Sequence, residues 1–167
     1  EKNFRAVGIN GSITQQDIFD LSINQKFDLV LSCGFIEHFA GVELEEALKI
    51  HVDLLKENGK LLLTVPNFRY LNYFFAYFFR KNILKHHNIE MMQESFFKDF
   101  AEKNNLKIDY LGYFGGIHPG GLKLGTKNIS NKFITNNLII NFEKYQIFDR
   151  INSKYFSHHL GAVLIKN

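Results

Sequence analysis

The sequence predicts an α/β protein with a mostly parallel sheet, and two segments carry this prediction. Each segment, Phe27–Phe39 (FDLVLSCGFIEHF) and Leu54–Asn67 (LLKENGKLLLTVPN), contains a short apolar strand that ends in residues suited to a cleft. One amphipathic helix separates the two strands. Such β–α–β crossovers build parallel sheets, whose ligands bind at the carboxyl ends of the strands. We therefore expect the chemistry near Cys33 and Pro66.

Composition limits the classes of protein that fit this chain. With 167 residues, 46% of them hydrophobic, it can form one globular domain with a real core. A net charge of +3 without a dense basic patch does not favour nucleic acid. No apolar run is long enough to span a bilayer, so a membrane protein is not expected. The single cysteine, Cys33, excludes an internal disulfide and favours a reducing, cytoplasmic location.

The first elements of the chain are short. Residues 1–9 fit the last turns of a helix that Gly8 ends, and because a domain rarely starts inside a helix, we expect the C-terminal part of something longer. A short strand is expected over Ile13–Ile18. The polar connection over Phe19–Lys26 is expected to hold a helical turn.

The central elements form the crossover. Phe27–Ser32 is predicted as a strand buried on both faces, because its apolar run is almost continuous. Val42–Lys56 shows a broad apolar stripe with acidic residues in its first turn, which predicts a helix. Asn58-Gly59 is expected to stop this helix. Lys60–Val65 is then the next buried strand, ended by Pro66.

The C-terminal half is predicted to alternate helices and strands. The aromatic segment Phe68–Lys85 is expected to be helical, and Gln93–Asn104 is a regular amphipathic helix. Leu106–Phe114 is a strand. Asn128–Ile151 is expected to form a second inserted helix, and Tyr155–Lys166 is the closing strand.

Taken together, these elements resemble the C-terminal two-thirds of a class I S-adenosylmethionine-dependent methyltransferase. The matching residues are Gln16-Asp17-Ile18, the two segments of the crossover, and the final pair of strands. The resemblance implies a Rossmann-like sheet, mostly parallel with an antiparallel C-terminal strand, helices on both faces and an incomplete N-terminus. It implies a single partial domain over 1–167, with helical insertions at about 68–90 and 126–152.

The cofactor implied by the resemblance is S-adenosylmethionine. The carboxylate of Asp17 would accept from the adenine amine, and the backbone N–H of Ile18 would bind an adenine ring nitrogen. The alternative for Asp17 is a helix N-cap or a loop acid. Ser32, Cys33 and Gly34 end the central strand and would line the cofactor site, although a small buried thiol is the simpler interpretation of Cys33. The family's glycine-rich loop is absent, so we expect the chain to be inactive alone.

Glu37-His38 matches a pair that the family often has close to cofactor and acceptor. His38 could act as general base on an acceptor hydroxyl, or it could line the cofactor site, and we favour the lining role. Some family members bind a divalent metal through an additional Glu three residues before this glutamate. The present chain has Gly34 there, so no metal is expected.

Acceptor binding is expected after the strand that ends in Pro66-Asn67, where this family places insertions. The candidate residues are Asn67, Tyr70, Tyr73 and Tyr77. The aromatic helix that holds these tyrosines is expected to be a helix buried on two sides or a lid over an apolar or ring-shaped acceptor. A dimer contact comes second and a membrane-surface helix third. His86 and His87 could reach the cleft, but capping of the helix C-terminus is the safer interpretation.

The predicted function is methyl transfer from S-adenosylmethionine to an oxygen, nitrogen or carbon atom of a small-molecule acceptor. No nucleic-acid or membrane partner is expected, and a homodimer stays open because an incomplete sheet leaves an exposed edge. The alternative is a non-catalytic domain that kept the sheet and binds a protein partner through its aromatic helices.

Overall fold

The computed structural model describes residues 11–79, 81–116 and 151–167. Their strands form one four-stranded sheet with the order β1-β2-β4-β3. The strands are β1 (Phe27–Cys33), β2 (Leu55–Pro66), β3 (Leu106–Phe114) and β4 (His159–Lys166). The helices predicted at residues 1–9 and, apart from its last residue, at Asn128–Ile151 lie outside the described residues.

Strands β1 and β2 run parallel, as the crossover predicts. Leu29 lies opposite Lys60 and Cys33 lies opposite Thr64, so both strands reach the same edge of the sheet. The register shifts between Phe27 and Leu29. The bulge opposite this shift needs a glycine, because a Cβ on Gly59 would lie 2.8 Å from the carbonyl oxygen of Lys56.

The C-terminal strand β4 is antiparallel to both of its neighbours, β2 and β3. Strand β3 therefore runs in the same direction as β1 and β2. His159, the first residue of β4, pairs with Pro66 on one side and with Phe114 on the other. The ends of β1, β2 and β3 and the start of β4 thus share one edge, which we call the carboxyl edge. This arrangement confirms the predicted sheet.

Two of the described helices, Gly41–Asp53 and Glu94–Lys103, pack against one common core on the sheet. The helices are α1 (Gly41–Asp53), α2 (Tyr70–Phe79), α3 (Lys81–Leu84) and α4 (Glu94–Lys103). An ion pair of 3.0 Å between Lys103 and Glu45 joins α4 to α1. The main core is formed by α1, α4, β2 and β4, with Leu44, Leu48, Phe97, Phe100, Leu61, Leu63, Leu160 and Leu164 among its members.

The opposite face of β1 is open in the described structure. Leu29 and Leu31 on that face are 56% and 59% exposed. The prediction that β1 is buried on both faces is therefore wrong for the described residues. The almost continuous apolar run suggested burial on both faces, but such a run does not show which elements pack on each face.

Several predicted elements also need correction, and β2 begins at Leu55 and not at the predicted Lys60. The expected strand over Ile13–Ile18 is absent, and a 3-10 turn over Ile18–Asp20 stands at its end. Helix α1 stops at Asp53, and Asn58-Gly59, predicted to stop it, lies inside β2. Strand β4 begins at His159, after a turn that contains Tyr155. The bounds predicted for β1, β3 and α4 agree with the structure within one residue.

The aromatic helix α2 is mostly exposed. Ala76 is buried, whereas Leu71, Phe74 and Phe78 are each more than half exposed. Burial on two sides, the simplest interpretation of its sequence, is therefore wrong for the described residues. Within the same part of the chain, none of the helices meets the length and hydropathy that crossing a lipid bilayer requires.

Candidate functional site

The end of β1 brings three predicted cofactor residues to the carboxyl edge. Ser32 is buried, and its hydroxyl has no hydrogen-bond partner among the described residues. Cys33 is exposed, which corrects the expectation of a buried thiol. Gly34 has a φ of 59°, a conformation that favours glycine, and its N–H donates to the carbonyl of Thr64 at 2.9 Å. The turn after β1 is therefore anchored to β2.

A cleft of about 560 Å³ lies beside β1 on the side of Asp17. Its lining includes the predicted residues Asp17 and Ile18, together with Leu31 and Phe35, which flank the end of β1. Ser32, Cys33, Gly34 and His38 are not among its lining residues. The volume falls in the range of small-molecule sites, about 300–1,000 Å³. A second groove of similar volume, between α1 and α4, contains none of the predicted site residues.

The 3-10 turn over Ile18–Asp20 lies beside this cleft, and Asp17 precedes it. Its Oδ1 accepts a hydrogen bond of 3.0 Å from the backbone N–H of Phe19, so Asp17 is the N-cap of the turn. The N-cap interpretation is thus confirmed for one carboxylate oxygen. The other oxygen, and the N–H of Ile18 as the first residue of the turn, are not used by this cap. Together they form an acceptor and donor pair at the cleft.

His51 of α1 also lines this cleft, although the sequence did not predict it as a site residue. Its side chain is buried, and its Nδ1 lies 2.7 Å from the carbonyl oxygen of Ala47. Burial lowers the pKa of His51 below its ordinary value, and the hydrogen bond to Ala47 opposes that shift. His51 is therefore neutral at physiological pH. Its position on the apolar stripe of α1 is the feature of the sequence from which its burial could have been predicted.

We expect the stability of the fold to decrease as the pH falls from about 7.5 to about 5.5, in part because of His51. Its pKa is lowered in the folded state, so the unfolded chain binds the proton more strongly and stability rises with pH in this window. The measurement is urea unfolding at both pH values for the wild type and for His51→Gln. The variant should lose part of the pH dependence, whereas the exposed His86→Gln should keep it. Equal pH dependence in the wild type and His51→Gln would contradict this role.

The second group of site residues follows Gly34, in a 3-10 turn over Ile36–His38. Glu37 is 2% exposed, and its Oε2 has no hydrogen-bond partner among the described residues. Burial raises the pKa of its carboxyl, while a hydrogen bond from its own backbone N–H and the nearby His38 and His87 partly offset the shift. A buried carboxylate oxygen without a partner is costly, so Glu37 needs an explanation.

His38 and His87 lie next to Glu37 although 49 residues separate them along the chain. Their ring centroids are 4.6 Å apart, and Nε2 of His38 is 4.0 Å from Oε1 of Glu37. The segment that carries His87 is fixed by Asn88, whose backbone N–H donates to the carbonyl of Glu37 at 2.7 Å. The capping interpretation of His87 holds as well, because its Nδ1 lies 2.7 Å from the carbonyl oxygen of Ile83. No sequence pattern predicted that His87 lies beside Glu37 and His38.

Asn67 follows β2 at the same edge, but its side chain faces the protein. It is 1% exposed, and its Nδ2 donates to the carbonyls of Lys154 and Ser157 at 3.1 and 2.8 Å. Its Oδ1 accepts from the backbone N–H of Arg69 at 3.2 Å. These bonds favour a structural role over the predicted acceptor contact.

The three predicted acceptor-binding tyrosines of α2 are each a little less than half exposed. Tyr70 packs against Tyr155 with ring centroids 5.0 Å apart, and Tyr73 stacks on Tyr77 at 6.2 Å. Lys81 lies over the ring of Tyr77 at 5.1 Å. None of the three lines the cleft beside Asp17.

Comparison with solved structures identifies the fold. A SAM-dependent methyltransferase from Archaeoglobus fulgidus superposes with a TM-score of 0.56 and 19% identity, covering 99% of this chain and 71% of that one. The plantazolicin methyltransferase BamL, in complex with a triazolic desmethylPZN analog and SAH, gives 0.56 and 13%, covering 99% and 64%. Coclaurine N-methyltransferase, bound to N-methylheliamine and SAH, gives 0.56 and 15%, covering 99% and 56%.

No protein-family model matches the chain, and no curated protein sequence matches it. The structural likeness nevertheless extends over almost the whole chain. At these identities it concerns the fold alone: this chain has the fold of SAM-dependent methyltransferases and spans 56% to 71% of the three structures.

Proposed function

We propose that this chain belongs to an S-adenosylmethionine-dependent methyltransferase that methylates an oxygen, nitrogen or carbon atom of a small molecule. The observation that carries the proposal is the cleft beside β1, because Asp17 and Ile18 line it together with the apolar side chains of Leu31 and Phe35. Two of the structural neighbours are described with SAH and a small molecule bound. The fold they share with this chain supports the same use of the carboxyl edge.

The residues of the cleft suit the adenosyl part of this cofactor. Asp17 offers an acceptor for the adenine amine and Ile18 a donor for a ring nitrogen, while Leu31 and Phe35 offer apolar surface to the ring. A carboxylate at this position would disfavour a base with a carbonyl in place of the amine. Ser32 and Gly34, at the end of β1, would lie toward the rest of the cofactor.

When bound, S-adenosylmethionine supplies a methyl group that its positively charged sulfur already activates. The protein therefore needs to hold the acceptor in line with the methyl group and exclude water. His38 is the candidate general base: its Nδ1 lies 2.9 Å from the carbonyl oxygen of His86, and donation there leaves the Nε2 lone pair free. Its half-exposed ring can reach an acceptor at the carboxyl edge.

The exposed aromatic surface of α2 favours a second candidate function. A domain that retained the sheet without catalysis could bind a protein partner through Leu71, Phe74 and Phe78, which are all exposed. This alternative predicts no binding of cofactor or of its product.

Calorimetric titration with S-adenosylhomocysteine separates the two candidates. The experiment uses the whole polypeptide that contains this sequence, including any residues that precede Glu1, because the neighbours extend beyond the aligned part. We expect saturable binding with one molecule per chain. A folded whole protein that binds none would refute the methyltransferase proposal and leave the interaction module.

A further inference from the structure

We propose that Glu37, His38 and His87 bind a divalent transition-metal ion of the zinc type at the carboxyl edge. Each residue offers one ligand atom, and these atoms all lie within 4.8 Å of one another. One carboxylate and two imidazoles form a donor set that suits zinc and its neighbours in the first transition row better than magnesium or calcium. The cluster can bind metal whether or not the chain binds a cofactor. An ion on Nε2 of His38 would use the lone pair that a general base needs, so with metal bound His38 is a ligand and not the base.

The orientation of the two imidazoles supports the proposal. Nδ1 of His38 lies 2.9 Å from the carbonyl oxygen of His86, and Nδ1 of His87 lies 2.7 Å from that of Ile83. A carbonyl oxygen can only accept, so both Nδ1 atoms donate to a backbone carbonyl, and in the neutral imidazole the lone pair that a metal ion needs then lies on Nε2. Metal-binding histidines are typically held in this way, with the second nitrogen donating to a backbone carbonyl.

Glu37 provides an independent observation. Its side chain is 2% exposed, and its Oε2 meets no hydrogen-bond donor among the described residues. A buried carboxylate oxygen without a hydrogen-bond donor, beside two imidazoles, is explained by a cation among the three side chains.

The remaining geometry requires only a small adjustment. In a four-coordinate zinc site with bonds of about 2.0–2.1 Å, the ligand atoms lie about 3.3 Å apart, so the largest separation of 4.8 Å must shorten by about 1.5 Å. The His38 side chain is 45% exposed and can rotate, whereas Glu37 is fixed in the interior. The exposure of His38 also leaves one side of the ion open to water or to an oxygen atom of a bound molecule.

The structure explains why the sequence led to the opposite expectation. The family pattern that suggested a metal places a further Glu three residues before Glu37, where this chain has Gly34. A Cβ on Gly34 would lie 3.5 Å from Oε1 of Glu37, so the glycine leaves room beside the carboxylate. His87 completes the set of three from a distant part of the chain.

The test is calorimetric titration of zinc chloride into the whole metal-free protein. We expect one zinc ion per chain, with affinity reduced at least about tenfold in Glu37→Gln and in His87→Ala. The control variants His86→Ala and Cys33→Ser should keep the wild-type affinity, because neither side chain belongs to the cluster. Circular dichroism confirms that each variant is folded, and His87→Ala removes a partly exposed side chain if Glu37→Gln does not fold.

Substitution by cobalt(II) gives a second readout that depends on the ligands themselves. Visible absorption bands of cobalt bound to nitrogen and oxygen ligands are expected in the wild type and lost in His87→Ala. The proposal is overturned if the wild type binds no zinc. It is equally overturned if Glu37→Gln and His87→Ala bind as well as the wild type while Cys33→Ser does not, because zinc would then sit on the exposed thiol.

Discussion

Replacing Asn67 by alanine is expected to lower the free energy of unfolding by about 2–4 kcal/mol, because the change removes three hydrogen bonds and leaves a cavity in place of a buried side chain. The Asn67 side chain is 1% exposed and makes three hydrogen bonds, two as donor and one as acceptor. It joins the end of β2 to the turn at Lys154–Ser157, before β4. The Ser157 carbonyl keeps its bond from Asn72. The loss therefore comes from the bonds to Lys154 and Arg69 and from the space left by the buried side chain.

Urea unfolding with a matched variant tests this expectation. Asn72 also donates to the carbonyls of Phe156 and Ser157, at 3.4 and 2.9 Å, but its side chain is only partly buried. Water can reach it, and Asn72→Ala should cost only about 1 kcal/mol. Similar losses in the two variants would contradict the structural role of Asn67. A stable Asn67→Ala protein with weakened acceptor binding would instead support the original assignment to the acceptor site.

The sequence predicted those features that depend on local periodicity. The apolar runs of β1 and β3 and the spaced aromatic residues of α4 each indicate one element without reference to the rest of the chain. The strands β1 and β2, joined by the single helix α1, then form a parallel pair, since a crossover of this kind permits little else. The carboxyl edge, and with it the position of Cys33 and Pro66, follows from that topology.

The details of the site depend on contacts between distant residues, and the sequence could not supply them. His87 reaches Glu37 because Asn88 bonds to the Glu37 carbonyl, a contact between segments about 50 residues apart. The hydrogen bonds that favour a structural role for Asn67 include one to Ser157, 90 residues later. In both cases the residue type suggested a function, but the fold decided which groups it meets.

Asp17 illustrates a residue for which local structure and ligand binding are both required. The sequence offered two interpretations, an N-cap and an adenine-binding acid, and the structure confirms the first without excluding the second. One oxygen bonds to the N–H of Phe19 and the cleft lies beside the same carboxylate. A variant must therefore separate the loss of the cap from the loss of the ligand contact.

Replacing Asp17 by alanine is expected to weaken binding of S-adenosylhomocysteine about ten- to a hundredfold, the value of a hydrogen bond to a charged group. The measurement is calorimetric titration of the whole protein, with the affinity for the acceptor measured separately once one is identified. The loss should fall mainly on the adenosyl ligand, because the proposal places the Asp17 carboxylate on the adenine amine and not on the acceptor. Equal weakening of both ligands would count against the adenine role.

Asp17→Asn provides the matched control, because its side-chain oxygen can still cap the turn at Phe19 while the negative charge is removed. If Asp17 binds adenine, the asparagine variant should also lose affinity, since its amide group would meet the adenine amine with a weaker acceptor or with a competing donor. If Asp17 only holds the turn, asparagine should retain the affinity that alanine loses. The neighbouring Asp20→Ala removes the same charge nearby without touching the cap, and it should leave binding unchanged. An equal loss of affinity in Asp17→Asn and Asp20→Ala would show that the negative charge acts at a distance, and it would contradict a direct contact between Asp17 and adenine.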